Sequence, residues 1–317
     1  MDSNLSVIPP NVHLFFDDDK NNIDDVLSVA KSINLQSVHC PPGPIYFYNA
    51  KGTPLNQKIT TYSEYSALKQ QDDTIPAYFK QFIKSTDGMS VGSGITPDMI
   101  RQIIAYEYEY EQLHARLYFF DFDLLLSQLG GLDFSFVQNR DHVNMSDYAK
   151  YLFSDCIGEE SPPTGRLNLL KQMFSAIGPD RVYIITSNAF ANPNNPFFKF
   201  FLGLTRVLLP LFHERHLICT NSKIADLLFT KKSEAIMSVF NNAFKKSFMP
   251  SSTALPSSTA LPSSAALPRA RHSARPPSAF KFAIAKPKIK TTIYKKRKGG
   301  ARRRSKFLHT RKKIRIT

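Results

Sequence analysis

The sequence predicts an α/β domain in which helices cover both faces of a parallel sheet, followed by a disordered C-terminal tail. Short apolar runs alternate with helical patterns over residues 1–250, and this alternation is typical of a parallel sheet with helical crossovers. Several of the apolar runs end in clustered polar side chains. The composition then changes abruptly after Pro250.

The N-terminal residues predict a β-α-β unit. Residues 12–16 (VHLFF) form a short apolar run that indicates a buried strand. Residues 21–33 place apolar side chains at helical spacing, and residues 35–39 (LQSVH) indicate a second strand. The unit spans about 30 residues, which is the usual length of such a crossover.

The next predicted elements lead to a third strand. Residues 43–95 are polar, with scattered tyrosines and glycines, and we predict only loops and short elements there. Residues 97–113 predict a helix, with Thr96 as the N-cap and Pro97 in the first turn. Residues 116–120 (RLYFF) indicate the strand.

The second half of the domain continues the alternation. Residues 124–165 predict an irregular insertion, and residues 165–177 then form a helical pattern that stops at the dipeptide Gly-Pro. The remaining predicted elements are a strand at 181–185, a helix at about 196–209, a strand at 216–219 and a helix from about 222 to 240. The very apolar run 197–212 contains two basic residues and is short for a bilayer, so we predict a buried or partner-facing helix and no membrane span.

The positive charge of the chain is concentrated at its end. Residues 269–317 hold 19 of the 41 lysines and arginines and none of the 26 acidic residues, so residues 1–268 carry 22 basic and 26 acidic groups. Residues 251–268 repeat a Ser/Ala/Pro-rich unit of six residues three times, which predicts a linker. The basic tail is expected to bind nucleic acid non-specifically by releasing counterions.

The tail and the cysteines also bear on the compartment. The segment KKRK resembles a nuclear localisation signal, and the composition of the tail resembles that of proteins of large DNA viruses. The three cysteines are sparse and show no paired spacing, which favours a reducing compartment. We therefore expect an intracellular protein, in the cytoplasm or nucleus, or a component of a virion.

Carboxylates and hydroxyls follow the predicted strands. Residues 17–19 are three aspartates, Asp121 and Asp123 follow the third strand, and residues 186–188 (TSN) and 220–223 (TNSK) follow the next two. Ligands bind at the carboxyl ends of parallel strands, so these groups are expected to converge. Close carboxylates need a cation, and Mg²⁺ prefers oxygen ligands. The pattern predicts a magnesium site.

These strand ends resemble the motifs of the haloacid dehalogenase (HAD) superfamily. The sequence FFDFD is similar to the first motif, which implies that Asp121 is a nucleophile and Asp123 a general acid/base. IITSN resembles the second motif, in which Thr186 would bind a phosphoryl group. The third-motif lysine is Lys223, Lys231 or Lys232, of which Lys223 is favoured because it is nearest to the strand end.

The fourth motif of the family resembles FFDDDKNNIDDV, which here comes first in the chain. This resemblance implies that Asp17 and Asp18 complete the Mg²⁺ site with Asp121 and the backbone carbonyl of Asp123. The order implies a circularly permuted, HAD-like Rossmannoid three-layer sandwich over residues 1–250. Residues 43–112 would be the new connection, and residues 124–165 lie where the family places a small cap.

The resemblance implies a Mg²⁺-dependent phosphatase that hydrolyses a phosphate ester through an aspartyl-phosphate intermediate. The alternative is a non-enzymatic HAD-like protein that binds nucleic acid or virion components through its basic tail. A third hypothesis joins the two, as a phosphatase that acts on nucleic-acid ends.

Overall fold

The computed structural model describes residues 9, 11–85, 89–110, 116–131, 144–158, 165–221, 223–224 and 227–248. The predicted linker, residues 251–268, and the basic tail, residues 269–317, lie outside the described residues. Parts of the predicted insertion, residues 132–143 and 159–164, also lie outside them.

The described residues form strands and helices in alternation. The strands are β1 (His13–Asp17), β2 (Leu35–His39), β3 (Ile45–Asn49), β4 (Pro54–Ile59), β5 (Ser90–Val91), β6 (Tyr118–Phe120), β7 (Leu129–Gly130), β8 (Cys156–Ile157), β9 (Val182–Thr186) and β10 (Leu217–Cys219). The helices are α1 (Lys20–Ala30), α2 (Tyr62–Gln70), α3 (Ala77–Ser85), α4 (Pro97–Glu109), α5 (Met145–Phe153), α6 (Arg166–Ile177), α7 (Phe198–Leu208) and α8 (Lys232–Phe248).

Five strands form a parallel sheet in the order β10-β9-β6-β1-β2, which confirms the predicted α/β class with a parallel sheet. The chain moves outward from β6 through β9 to β10 in one direction, and from β1 to β2 in the other. The point at which the connections diverge therefore lies between β6 and β1. Ligands of open α/β sheets bind at such a switch point, outside the carboxyl ends of the strands.

Helices pack on both faces of the sheet, because successive side chains of a strand point to opposite sides. Leu14 and Phe16 of β1 belong to a large apolar cluster that includes residues of α4, α6 and α7. Phe15, between them, belongs to a smaller cluster with residues of α1 and α8. The sheet is thus the middle of three layers.

Two stretches contain more regular structure than predicted. Residues 43–95 hold three strands and two helices, and α2 begins with a capping box in which Thr61 and Glu64 bind each other's backbone N–H groups. Within residues 124–165, helix α5 begins at the N-cap Asn144. Both helices are nine residues long, and such short segments give a weak periodic signal.

The last helix begins ten residues later than predicted, at Lys232 instead of Ser222. Leu228, within the predicted helix but ahead of the observed one, is 82% exposed. Glu234 sets the start, because its carboxylate accepts the backbone N–H groups of Thr230 and Lys231.

Of the apolar run at residues 197–212, predicted as a buried or partner-facing helix, Phe198–Leu208 form α7, which packs into the core. In α7 the side chains of Phe198, Phe201 and Leu204 are buried in the large apolar cluster. None of the helices in the part of the chain that the structure describes is long and apolar enough to cross a membrane.

A buried histidine beside β10 is expected to make the fold sensitive to acid. Burial lowers the pKa of His216 from 6.5 to about 4, and the ring stacks on Tyr183. Between these pH values the unfolded chain takes up a proton that the folded chain does not, so stability falls as the pH drops from 6.5 to 4. The shift corresponds to roughly 3 kcal/mol.

Urea unfolding at pH 7 and pH 4.5 measures this effect. In His216→Phe the loss of stability between the two pH values should be smaller than in the wild type by about 2 kcal/mol or more. The exposed His39→Phe variant is the control and should keep the wild-type difference. An unchanged difference in His216→Phe would contradict the expectation.

Candidate active site

Two aspartates meet side by side where β1 and β6 end. The register pairs Phe16 with Phe120, so that Asp17 and Asp121 follow at the same level of the sheet. The backbone N–H of Asp121 donates to the carbonyl of Phe16 at 3.0 Å and fixes this alignment. Both carboxylates are buried, with exposures of 0% for Asp17 and 5% for Asp121. The predicted convergence of these residues is therefore present.

A buried lysine at the start of α8 binds both carboxylates. The Nζ of Lys232 donates to Oδ2 of Asp17 and to Oδ1 of Asp121, each at 2.7 Å. Burial alone would lower the pKa of Lys232, but the charges of Asp121 and Asp17 outweigh it and raise that pKa. Lys232 is thus a cation held between the two strand ends.

The other carboxylate oxygen of Asp17 is held by its own neighbourhood. Oδ1 accepts the backbone N–H of Asp19 at 2.9 Å and the side-chain amide of Asn22 at 3.1 Å. Asp19 in turn caps α1 by accepting the N–H of Asn21. The turn between β1 and α1 therefore orients Asp17 as well as starting the helix.

Three carboxylates are close enough to share one metal ion. Each of Asp17, Asp18 and Asp121 offers an oxygen within 4.8 Å of the oxygens of the other two. Carboxylate oxygens are the ligands that Mg²⁺ prefers. Lys232 alone cannot balance three carboxylates, so a divalent cation fits both the donor set and the charge of the cluster.

The pKa values of the clustered carboxyl groups reflect their burial and the repulsion between their charges. Burial, and then the charge of Asp121, raise the pKa of Asp17 to about 6, against the opposing effect of Lys232. Burial also raises the pKa of Asp18 and of Asp121. A bound cation would favour the ionised forms and offset these effects.

The second aspartate of the FDFD sequence, Asp123, lies in a different hydrogen-bond network. The side-chain amide of Asn188 is 3.4 and 3.3 Å from its two carboxylate oxygens, and the backbone N–H of Asn188 donates to Oγ1 of Thr186 at 3.1 Å. Burial, and then the charge of Asp121, raise the pKa of Asp123 to about 7. Its backbone carbonyl accepts the N–H of Leu125 at 2.7 Å.

The loop that follows Asp121 is tightly wound against a neighbouring segment. Leu124 has a φ of 56°, in the left-handed region that leucine rarely adopts. Its carbonyl accepts the N–H of Gly94 at 2.7 Å, and a Cβ on Gly94 would lie 2.7 Å from the carbonyl of Cys40. Only glycine permits this close approach.

The structure differs from the sequence prediction in the choice of lysine. Lys223 is exposed, and its backbone N–H donates to the side chain of Asn221. Lys232, the first residue of α8, occupies the position between the carboxylates instead. The missed signal was Glu234, which marks that helix start.

Thr186 is buried at the end of β9, as its sequence position predicted. Asn188, one of the strand-end residues expected to converge, contacts Asp123, whereas the contact of Asn22 with Asp17 was not predicted. The chain matches no protein-family model, no curated protein and no solved structure in the comparisons made.

Proposed function

We propose that residues 1–250 are a HAD-like, Mg²⁺-dependent phosphohydrolase that forms an aspartyl-phosphate intermediate on Asp121. The observation that carries the proposal is the contact of one buried ammonium group with both Asp17 and Asp121, at 2.7 Å each, beside the third carboxylate of Asp18. A phosphoryl group is negatively charged, so the ammonium group of Lys232, together with a divalent cation held by the carboxylates, would attract and orient it.

The topology supports the resemblance to a permuted domain. If the chain is counted from β6, as a circular permutation implies, the sheet order β10-β9-β6-β1-β2 becomes 3-2-1-4-5. This is the start of the common doubly wound order, and its switch point lies between Asp121 and Asp17. Residues 43–112 would then join the original ends of the domain.

Asp121 is the candidate nucleophile. Burial raises the pKa of the Asp121 carboxyl group, and the neighbouring Lys232 opposes this effect and so favours the ionised form. In the proposed reaction a carboxylate oxygen of Asp121 attacks phosphorus as the bond from phosphorus to the leaving oxygen breaks. When bound by Asp17, Asp18 and Asp121, Mg²⁺ would neutralise the charge on the phosphoryl oxygens.

Asp123 is the candidate general acid/base. A pKa near 7 lets one carboxyl group both give and take a proton at neutral pH. Asp123 protonates the leaving oxygen in the first step. In the second step it takes a proton from water, whose oxygen attacks phosphorus while the bond to Asp121 breaks and inorganic phosphate leaves. Thr186 is proposed to bind a phosphoryl oxygen.

Hydrolysis of an aryl phosphate by the full-length chain tests the proposal. Phosphate release should require Mg²⁺, stop on addition of EDTA and resume when excess Mg²⁺ is restored. A Mg²⁺-induced rise in melting temperature should accompany it, because a ligand that binds the folded state stabilises it. The absence of both hydrolysis and a metal-dependent shift in melting temperature would refute the proposal.

A second candidate function rests on the basic tail, residues 269–317, which contains 19 lysines and arginines and no acidic residue. In this alternative the protein is a non-enzymatic one that binds nucleic acid or virion components, in the nucleus, cytoplasm or virion. Tail-driven binding should weaken steeply between 50 and 200 mM salt, as in other proteins that contact about 6–10 phosphates. Hydrolysis of a small phosphate ester should change little over the same range, and a phosphatase that acts on nucleic-acid ends would combine both responses.

A further inference from the structure

The start of helix α8 is attached to helix α1 by one carboxylate outside the acidic cluster. Oδ2 of Asp25 accepts the backbone N–H of Ser233 at 3.0 Å, and Oδ1 accepts the hydroxyl of Ser233 at 2.9 Å. Asp25 is half-buried and Ser233 is buried. The N–H of the second residue of a helix has no partner within the helix, so Asp25 acts as a cap supplied by another element.

This cap lies next to the lysine of the candidate active site. Ser233 directly follows Lys232, whose Nζ binds Asp17 and Asp121. Both hydrogen bonds from Nζ of Lys232 to the carboxylates are short. A shift of the first turn of α8 would therefore pull the ammonium group out of hydrogen-bond distance. Fixing Ser233 therefore fixes the point from which Lys232 reaches into the site.

The contacts of Glu234 serve a different purpose. Its carboxylate accepts N–H groups of Thr230 and Lys231, which precede α8 in the same chain segment. That contact forms the helix start but does not attach it to the sheet. Asp25 lies on α1, and α1 follows the strand that carries Asp17. Asp25 thus couples the position of Lys232 to the element that presents Asp17.

We propose that Asp25 is a positioning residue that holds Lys232 between Asp17 and Asp121. Its effect on catalysis rests on the proposed function. The positioning itself does not, since it is a statement about where Lys232 lies. Asp24 provides a matched comparison: it is on the same helix and has the same charge, but it is exposed and pairs with Lys20 on the surface.

The experiment compares Asp25→Ala, Asp25→Asn and Asp24→Ala in the full-length chain. The first readout is the rate at which an N-hydroxysuccinimide ester acylates Lys232, followed by peptide mass spectrometry. Lys69 is the internal control, since it is a buried lysine elsewhere in the domain, 1% exposed. We expect Asp25→Ala to raise labelling of Lys232 several-fold while Lys69 stays protected, and Asp24→Ala to change neither.

The second readout is the hydrolysis of the aryl phosphate. Asp25→Ala should lower kcat by about 10-fold or more, as is typical when a partner of a site residue is lost, with little change in KM. Asp25→Asn should recover much of this loss, because its side-chain oxygen can still accept the N–H of Ser233. If Asp25→Ala fails to fold, Ser233→Ala, which loses only the hydroxyl contact, should show the same selective labelling to a smaller degree.

Two results would overturn the inference. One is labelling of Lys232 in Asp25→Ala, or in Ser233→Ala where the former does not fold, that is no faster than in Asp24→Ala. The other is an equal increase in the labelling of Lys69 and Lys232, which would show a general loss of stability. If the wild type shows neither hydrolysis of the aryl phosphate nor a Mg²⁺-dependent shift in melting temperature, the proposed function fails, and the labelling result alone decides whether Asp25 positions Lys232.

Discussion

Asp121→Asn is expected to abolish Mg²⁺-dependent hydrolysis of the aryl phosphate, with kcat lowered by at least about 10⁴-fold. Losses of this size follow the removal of a nucleophile in enzymes that use covalent catalysis. The asparagine amide has nearly the shape of the carboxylate but cannot form the acyl-phosphate bond. Initial rates of phosphate release at saturating Mg²⁺ measure the effect.

The fold should survive this substitution. The side-chain oxygen of asparagine can still accept a hydrogen bond from Lys232, whose other partner, Asp17, is unchanged. A Tm close to that of the wild type in the absence of metal is therefore the control. Wild-type rates in Asp121→Asn would exclude Asp121 as the nucleophile.

Lys232→Met is expected to destabilise the domain by roughly 3–5 kcal/mol at pH 8 without added metal. Methionine fills similar space but leaves the buried carboxylates of Asp17 and Asp121 without their cation. The loss should be smaller at pH 5, because the pKa of Asp17 is about 6 and its carboxyl group then takes up a proton in the folded state. Urea unfolding at the two pH values measures the difference.

Lys223→Met is the matched control for this prediction. Lys223 is exposed, and surface substitutions of this kind usually change stability by no more than about 0.5 kcal/mol. Mg²⁺ should restore part of the stability lost in Lys232→Met, since it supplies positive charge to the same carboxylates. Equal effects of the two lysine substitutions would contradict the assignment of Lys232 to the site.

The sequence was most informative at the strands of the central sheet. Runs such as VHLFF and RVYII are mostly apolar because both faces of the sheet are buried, and this places strand ends to within one or two residues. The convergence of Asp17 with Asp121 follows from parallel strands alone. Their exact alignment follows from the register of β1 and β6, which required the structure.

The parts of the site that the sequence did not reveal depend on tertiary contacts. Lys232 lies 111 residues along the chain from Asp121, and it is one of three candidate lysines after β10, with Lys223 and Lys231. Only the tertiary contacts of Lys232 with Asp17 and Asp121 distinguish it from the other two. The sequence placed Asn188 at a strand end but did not reveal its contact with Asp123. Asp25 looks like an ordinary helix residue, so its contact with Ser233 leaves no pattern in the sequence.

The most direct test of the proposed chemistry is to find where the phosphoryl group goes. The full-length chain is mixed with Mg²⁺ and an aryl phosphate, quenched in acid within one turnover, and digested for peptide mass spectrometry. We expect the mass of one phosphoryl group on the peptide that contains Asp121, and none in Asp121→Asn. Phosphate release by the wild type without any phosphorylation of Asp121 would contradict the proposed intermediate.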